Sequence, residues 1–333
     1  MQDQVNHIRK SIFQITDERS FREVTLEIFR FQAMYNPVYR KYIHLLGINP
    51  SLVKDIKEIP FLPVAFFKDH TISIMNGPFE TVFTSSGTSG SSPSRHPVPD
   101  LSIYKESFSR AFQHFYGDIT AYCILALLPS YLERSGSSLI YMLDDLIKKT
   151  GCKESGFYLY EHDNLFKTLL TLGTQNKKIL LFGVSFALLD FAEKYELPEM
   201  DITVMETGGM KGRRKEMVRK ELHDFLKERF HVVSVHSEYG MTELMSQAYS
   251  SGNGIFRTPP WMRILVRDSY DPFSYPPPGH TGGINVIDLA NLYSCAFIET
   301  QDLGRLQPDG SFTVEGRYDH SDIRGCNLMV QEI

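Results

Sequence analysis

The chain has 333 residues, of which 42% are hydrophobic and 23% charged, enough apolar side chain for a large core and unlike the composition of a disordered chain. Thirty-five Lys and Arg against 40 Asp and Glu leave a formal charge of −5, which gives no general electrostatic basis for binding nucleic acid or an anionic membrane surface. The opening Met1-Gln-Asp-Gln-Val-Asn-His7 has neither the basic nor the apolar part of a secretory signal. The longest apolar runs, such as 121–128, are strand-sized and too short for a membrane span. Four cysteines, Cys123, Cys152, Cys295 and Cys326, are scattered without a Cys-x-x-Cys pair. Neither a zinc site nor a disulfide framework is therefore expected, and the expected compartment is a reducing cytoplasm.

Residues 20–46 read as helix: Ser20-Phe-Arg-Glu23 has the form of a capping box, and Phe21, Val24, Ile28, Phe31 and Tyr35 follow helical spacing until Pro37 interrupts. A turn, Ile59-Pro-Phe-Leu-Pro63, then leads to Phe66-Phe67-Lys68. From Thr81 the predicted strands 81–84, 122–128, 156–160, 178–183, 202–206 and 231–236 alternate with amphipathic stretches near 101–117, 137–149, 163–172, 186–195 and 213–229. This alternation predicts an α/β fold of layered, largely parallel sheets. After 254 the helical pattern ends, and Pro259-Pro260 and Pro276-Pro277-Pro278-Gly279 punctuate short strand-like pieces at 264–266, 283–287, 295–299 and 311–314. The expected division is an α/β core over 1–254, a small β-rich subregion over 255–315, and a short tail over 316–333.

Four segments carry chemical meaning. In Thr84-Ser85-Ser86-Gly87-Thr88-Ser89-Gly90, glycines let main-chain N–H groups turn toward a polyphosphate and the hydroxyls add donors. The Gly-Lys-[Ser/Thr] ending of a kinase loop is missing, and the composition also suits a plain surface turn. In Ser237-Glu238-Tyr239-Gly240-Met241-Thr242-Glu243, Tyr239 offers a flat face for a purine, Thr242 a hydroxyl, and Glu243 a hard oxygen ligand for Mg²⁺. An ordinary strand-to-helix loop reads the same way. In Glu299-Thr-Gln-Asp302-Leu-Gly-Arg305, Asp302 at a strand end suits the two hydroxyls of a ribose, although Asp-Leu-Gly is also a good turn. In Gly316-Arg317-Tyr-Asp319, Arg317 suits ribose or phosphate oxygens, or is a surface arginine in a turn.

In this order the four segments resemble the signature of the adenylate-forming superfamily, which includes acyl-CoA synthetases, luciferases and peptide-synthetase adenylation domains. Within that group the chain resembles the acyl-protein synthetases of bacterial luminescence, the fatty-acid component of a fatty-acid reductase system. That likeness rests on the 59–63 turn with Phe66-Phe67-Lys68, Leu128-Pro-Ser-Tyr-Leu-Glu-Arg-Ser-Gly-Ser-Ser138, Thr207-Gly-Gly-Met-Lys-Gly212 and Ile323-Arg-Gly-Cys-Asn-Leu328. The resemblance implies activation of a fatty or other carboxylic acid by ATP and Mg²⁺ to an acyl-adenylate, followed by transfer to a thiol. It implies that Ser85, Ser86, Gly87, Thr88, Ser89 and Gly90 hold the β- and γ-phosphates, Thr242 the α-phosphate and Glu243 the metal. Gly208 and Gly209, with Glu238, Tyr239, Gly240 and Met241, would frame the adenine, and Asp302 and Arg317 would take the ribose. An acyl-accepting reductase or carrier protein is the implied partner.

Typical members continue past the Gly-Arg motif into a mobile C-terminal domain bearing a lysine. Here 16 residues (333 − 317) follow Arg317, so that domain is expected to be absent. Lys211, beside the glycine pair, is a candidate for the missing charge, or else a surface lysine at a helix start. Residues 183–189 line the acyl pocket by resemblance, or are plain core. Cys326, between Gly325 and Asn327 and near Arg324, is the candidate acyl acceptor, set against a small apolar residue in a final strand. A CoA ligase shares each of these motifs, and a catalytically silent adenylate-binding protein is the alternative from another class. A serine hydrolase, a zinc hydrolase and a Rossmann dehydrogenase are disfavoured: Gly-x-Ser-x-Gly and His-Glu-x-x-His are missing, and Gly252-Asn-Gly254 lacks a third glycine.

Overall fold

The structure, a computed structural model, describes residues 2–85, 92–128, 136–175, 177–208 and 217–318. It opens with α1 (Gln2–Ile12), α2 (Glu18–Tyr35) and α3 (Pro37–Leu45), and the periodic Phe21, Val24, Ile28 and Phe31 are buried as their spacing predicts. The capping box sits three residues earlier than expected. Asp17 is the N-cap and accepts from the Ser20 N–H, while Ser20 is the N3 residue that bonds back. Asn36 ends α2 and caps α3 by accepting from the Val38 and Tyr39 N–H groups, with Pro37 at the first helical position.

β1 (Leu62–Pro63) and the short α4 (Phe66–Asp69) lead to β2 (Thr81–Thr84) and β3 (Arg95–Val98). These last two pair antiparallel as a separate two-stranded sheet, so the first strand predicted for the layered domain lies outside the main sheet. Then follow α5 (Leu101–Tyr116), β4 (Tyr122–Leu127), α6 (Ser138–Thr150), β5 (Gly156–Phe157), α7 (His162–Gly173), β6 (Lys178–Val184), α8 (Ser185–Lys194), β7 (Ile202–Thr207), α9 (Arg219–Phe230) and β8 (Val235–Tyr239). The strands lie in the order β5-β4-β6-β7-β8, all parallel. β4 and β6 are buried almost end to end, the burial that helices on both faces produce. β8 starts at Val235, not at 231, because His231 caps α9 in the left-handed region (φ 52°).

Beyond β8 the sheet turns antiparallel. β9 (Ala248–Ser250), β10 (Ile255–Arg257), β11 (Met262–Arg267), β12 (Thr281–Asp288), β13 (Phe297–Leu306) and β14 (Phe312–Arg317) continue it as β8-β9-β10-β14-β13-β12-β11, with β1 parallel on β13. The strands after residue 254 thus hydrogen-bond into the same sheet as the parallel ones, through β10 and β9.

One expectation is overturned. Cys123 in β4 and Cys152 after α6 form a disulfide, 29 residues apart in sequence and 5.5 Å between Cα atoms. Gly151 ends α6 in the left-handed region (φ 62°) and turns the chain so that Cys152 meets the start of β4. Sequence spacing carries no sign of such a pairing, which depends on a strand and a helix end meeting in space. Among the described residues no helix is long and apolar enough to cross a membrane.

Candidate functional site

Open α/β sheets bind ligands beyond the carboxyl ends of their parallel strands, at the point where the strand order changes. The strand order reverses between β4 and β6, and the carboxyl ends continue to β8, where parallel pairing with β7 gives way to antiparallel pairing with β9. The loop 240–247 leaves this end, and Gly208 follows β7 next to it.

Side chains from three directions fix the loop. The Leu244 N–H donates to the Met241 carbonyl (3.1 Å), closing a tight turn. Asp288 accepts from the Met245 N–H and from the Ser246 hydroxyl, each at 2.6 Å; burial pushes its carboxyl up to about 6 against those hydrogen bonds. The Asn291 amide donates to the Glu243 carbonyl (2.7 Å), and His96 Nδ1 lies 2.8 Å from the Thr242 carbonyl. A carbonyl only accepts, so Nδ1 of His96 carries the proton. Burial takes this imidazole down to about 4, keeping it neutral. With the main chain held from behind, the Thr242 side chain is left half-exposed and Gly240 open.

Glu243 is buried, and burial raises its carboxyl, opposed by a hydrogen bond from Ser94 and by the charge of Arg317. A buried carboxylate with no cation bonded to it among the described residues suits a divalent ion, which Mg²⁺ takes with one or two carboxylates while water and phosphate supply the rest. Among the described residues, the group of three metal-ligating side chains within mutual reach is Cys123, Cys152 and Glu154, and its sulfurs are bonded to each other. Ser94 also closes the Ser/Gly/Thr loop: the Ser85 N–H donates to the Ser94 carbonyl (3.1 Å), and the Ser94 N–H to the Ser85 hydroxyl (2.9 Å). Ser94, His96 and Asn291 escaped the sequence reading. Of these only Ser94 had a signal, as the last serine before β3.

Asp302 does not lie at a strand end. It sits within β13, directly opposite Arg317 of β14. Its Oδ2 accepts from the Tyr239 hydroxyl (2.8 Å), and its Oδ1 lies 3.0 Å from Arg317 Nε. Tyr239 is buried edge-on against Phe256 and Phe312, so its polar end serves Asp302. Arg317, the last residue of its strand, is exposed. The charges of Arg317 and Asp302 both bear on the Glu243 carboxyl, the first lowering it and the second raising it.

Glu238 faces Thr207 across β7 and β8, and the Thr207 hydroxyl donates to it. A Cβ on Gly240 would stand 2.4 Å from Glu238 Oε1, so any larger residue there would displace that carboxyl group. Burial pushes the Glu238 carboxyl up to about 7 against the Thr207 hydrogen bond, with nearby Glu206 adding to the rise. A folded value above the ordinary 4.5 means that the stability this group contributes is complete below about pH 4.5 and is lost as pH climbs through 7. Glu238→Gln is expected to remove that loss; urea midpoints measured between about pH 5 and 8 would show parallel curves for parent and variant if the assignment is wrong.

Residues 183–189 join the end of β6 to α8, with Phe186, Ala187, Leu188 and Leu189 all buried. Ser86, Gly87, Thr88, Ser89, Gly90, Gly209, Lys211 and Cys326 lie outside the described residues.

This parallel half-sheet, continued by antiparallel strands that carry Asp302 and Arg317, is a fold the chain shares with solved acid ligases. The structure is similar to 2-hydroxyisobutyryl-CoA ligase in complex with 2-HIB-AMP and CoA (TM-score 0.67, 13% identity, 92% of this chain and 72% of that one). It is also similar to ATP-bound MatB from Rhodopseudomonas palustris (TM-score 0.55, 15% identity, 72% and 48%) and to the amide bond synthetase McbA from Marinactinospora thermotolerans (TM-score 0.50, 18% identity, 71% and 48%). The match spans about half the length of MatB and McbA. Comparison with curated protein sequences finds no match. The sequence profile described as "Acyl-protein synthetase, LuxE" matches residues 12–333, and the chain belongs to that family.

Proposed function

We propose that this protein uses ATP and Mg²⁺ to activate a carboxylic acid as an acyl-adenylate and then passes the acyl group to a thiol. The observation that carries this reading is the Tyr239–Asp302–Arg317 cluster at the end of β8, with Asp302 and Arg317 close enough for their charges to bear on the buried Glu243. The acid's oxygen attacks the α-phosphorus, the bond to the β-phosphate bridging oxygen breaks, and pyrophosphate leaves. A thiolate then attacks the acyl carbon, and AMP departs with the bonding electron pair. Neither step needs a protein nucleophile on phosphorus, so catalysis is positioning and charge neutralisation.

Asp302 and Arg317 take the ribose, and Thr242 the α-phosphate. Gly208, Gly209, Glu238, Gly240 and Met241 frame the adenine, with Tyr239 behind. Ser85 and the glycine-rich residues 86–90 hold the outer phosphates, and Glu243 would hold the Mg²⁺, which would supply positive charge beside the pyrophosphate. Lys211, close after Gly208, is assigned the cationic role that the C-terminal-domain lysine plays in larger members. The acid is a fatty acid, and the first acceptor is Cys326, from which a reductase or carrier protein collects the acyl group.

Asp302→Ala is expected to raise KM for ATP about tenfold or more with a smaller change in kcat, because a carboxylate on ribose hydroxyls acts equally in ground and transition states. An unchanged KM would remove Asp302 from the ribose. The reading as a whole is tested by ATP–pyrophosphate exchange over a panel of short, aryl and long-chain acids. Acceleration of net turnover by free CoA would turn it toward a CoA ligase.

A further inference from the structure

β7 and β14 stand four places apart in the sheet, in the order β7-β8-β9-β10-β14. At about 4.8 Å per step a flat sheet would hold them about 19 Å apart, beyond the reach of one side chain. Arg219, the first residue of α9, nevertheless contacts groups on both. Its Nε lies 3.5 Å from Glu206 Oε1 on β7, and its Nη1 donates to the Val314 carbonyl on β14 (3.1 Å). The sheet therefore curls here, and Arg219 lies across the curl with its guanidinium 5.3 Å above the ring of Phe256 in β10. The chain makes room for it: a Cβ on Gly254 would stand 3.3 Å from Arg219 Cδ.

Each end of this tie reaches the cleft. Glu206 is fully enclosed, and the Ser185 hydroxyl lies 3.0 Å from both Glu206 Oε2 and the carbonyl of Gly208. Burial alone would raise the Glu206 carboxyl, but His223 and the charge of Arg219 hold it below its ordinary value, so the anion persists. At the other end, Val314 lies on the strand that finishes with Arg317. In between, Phe256 packs against Tyr239, whose hydroxyl supports Asp302.

We propose that Arg219 is a positioning residue of the nucleotide site: through Glu206 and Ser185 it fixes Gly208, and through Val314 it fixes the strand bearing Arg317, so that the adenine and ribose walls keep one spacing. This rests on the nucleotide reading of the cleft. A guanidinium suits the position, because its separate nitrogens Nε and Nη1 reach a carboxylate and a carbonyl that the single nitrogen of an ammonium would have to approach together.

The test is the dissociation constant of a fluorescent ATP analogue, measured beside the thermal midpoint. Arg219→Ala is expected to bind about tenfold or more weakly, with affinity recovered by low-millimolar methylguanidinium but not by methylammonium. Arg219→Lys keeps a cation beside Glu206, which protects the fold if the alanine variant fails, and is expected to show an intermediate loss. If both folded variants bind the analogue as the parent does, or lose only thermal stability, the proposal is overturned. A parent that binds nucleotide but exchanges no pyrophosphate would sink the activation reading and leave these affinities decisive. A parent that binds no nucleotide would sink both.

Discussion

Glu243→Gln is expected to lower pyrophosphate exchange about a hundredfold or more while the protein stays folded. Glutamine keeps the shape of the side chain, and the bond that Asn291 makes at this residue is to its main-chain carbonyl, which the substitution leaves in place. Burial raises the Glu243 carboxyl, so the ionised form is held against a desolvation cost, and a neutral amide removes that cost. Stability should therefore hold or rise as activity falls, a split that separates a metal ligand from a structural carboxylate. The variant should also need more magnesium for its residual exchange. Parent-like exchange in a folded Glu243→Gln protein would end the metal assignment.

Cys326→Ser is expected to keep pyrophosphate exchange and lose the whole of the hydroxylamine-labile acyl label formed with ATP, magnesium and a radiolabelled fatty acid. The other three cysteines make poor acceptors. Cys123 and Cys152 are joined to each other. Cys295 is buried, and burial pushes its thiol up to about 12, far from a thiolate at neutral pH. That leaves Cys326, next to Gly325 and near Arg324. Serine matches its size but offers an alkoxide-forming oxygen in place of a thiolate, and an ester would resist neutral hydroxylamine. A variant that labels as well as the parent would move the acceptor elsewhere and favour a free thiol such as CoA.

The α/β alternation and the loop after β8 are legible in the sequence because they are written locally. Tyr239, Gly240, Thr242 and Glu243 are consecutive or nearly so, and the strand and helix periods from Tyr122 to Phe230 are strong enough to be read alone. Other features depend on tertiary pairing. Asp302 reads as a strand end because Leu303-Gly304 follows it, yet the register shift at Leu303/Gly304 lets β13 run through that glycine and set Asp302 opposite Arg317. Either Asp17 or Ser20 can cap a helix, and only geometry distinguishes them. The Cys123–Cys152 pair, His96 under Thr242 and the Arg219 tie each join residues far apart in sequence. β9 and β10, at three residues apiece, are too short to show any alternation.

The most direct test of the central claim is acid-dependent incorporation of labelled pyrophosphate into ATP by the purified protein, with and without magnesium, across acids of increasing chain length. Exchange is expected to require both acid and magnesium, to be strongest with a long-chain fatty acid, and to persist in Cys326→Ser. A folded protein that binds ATP but shows no exchange with any acid in the panel would contradict it.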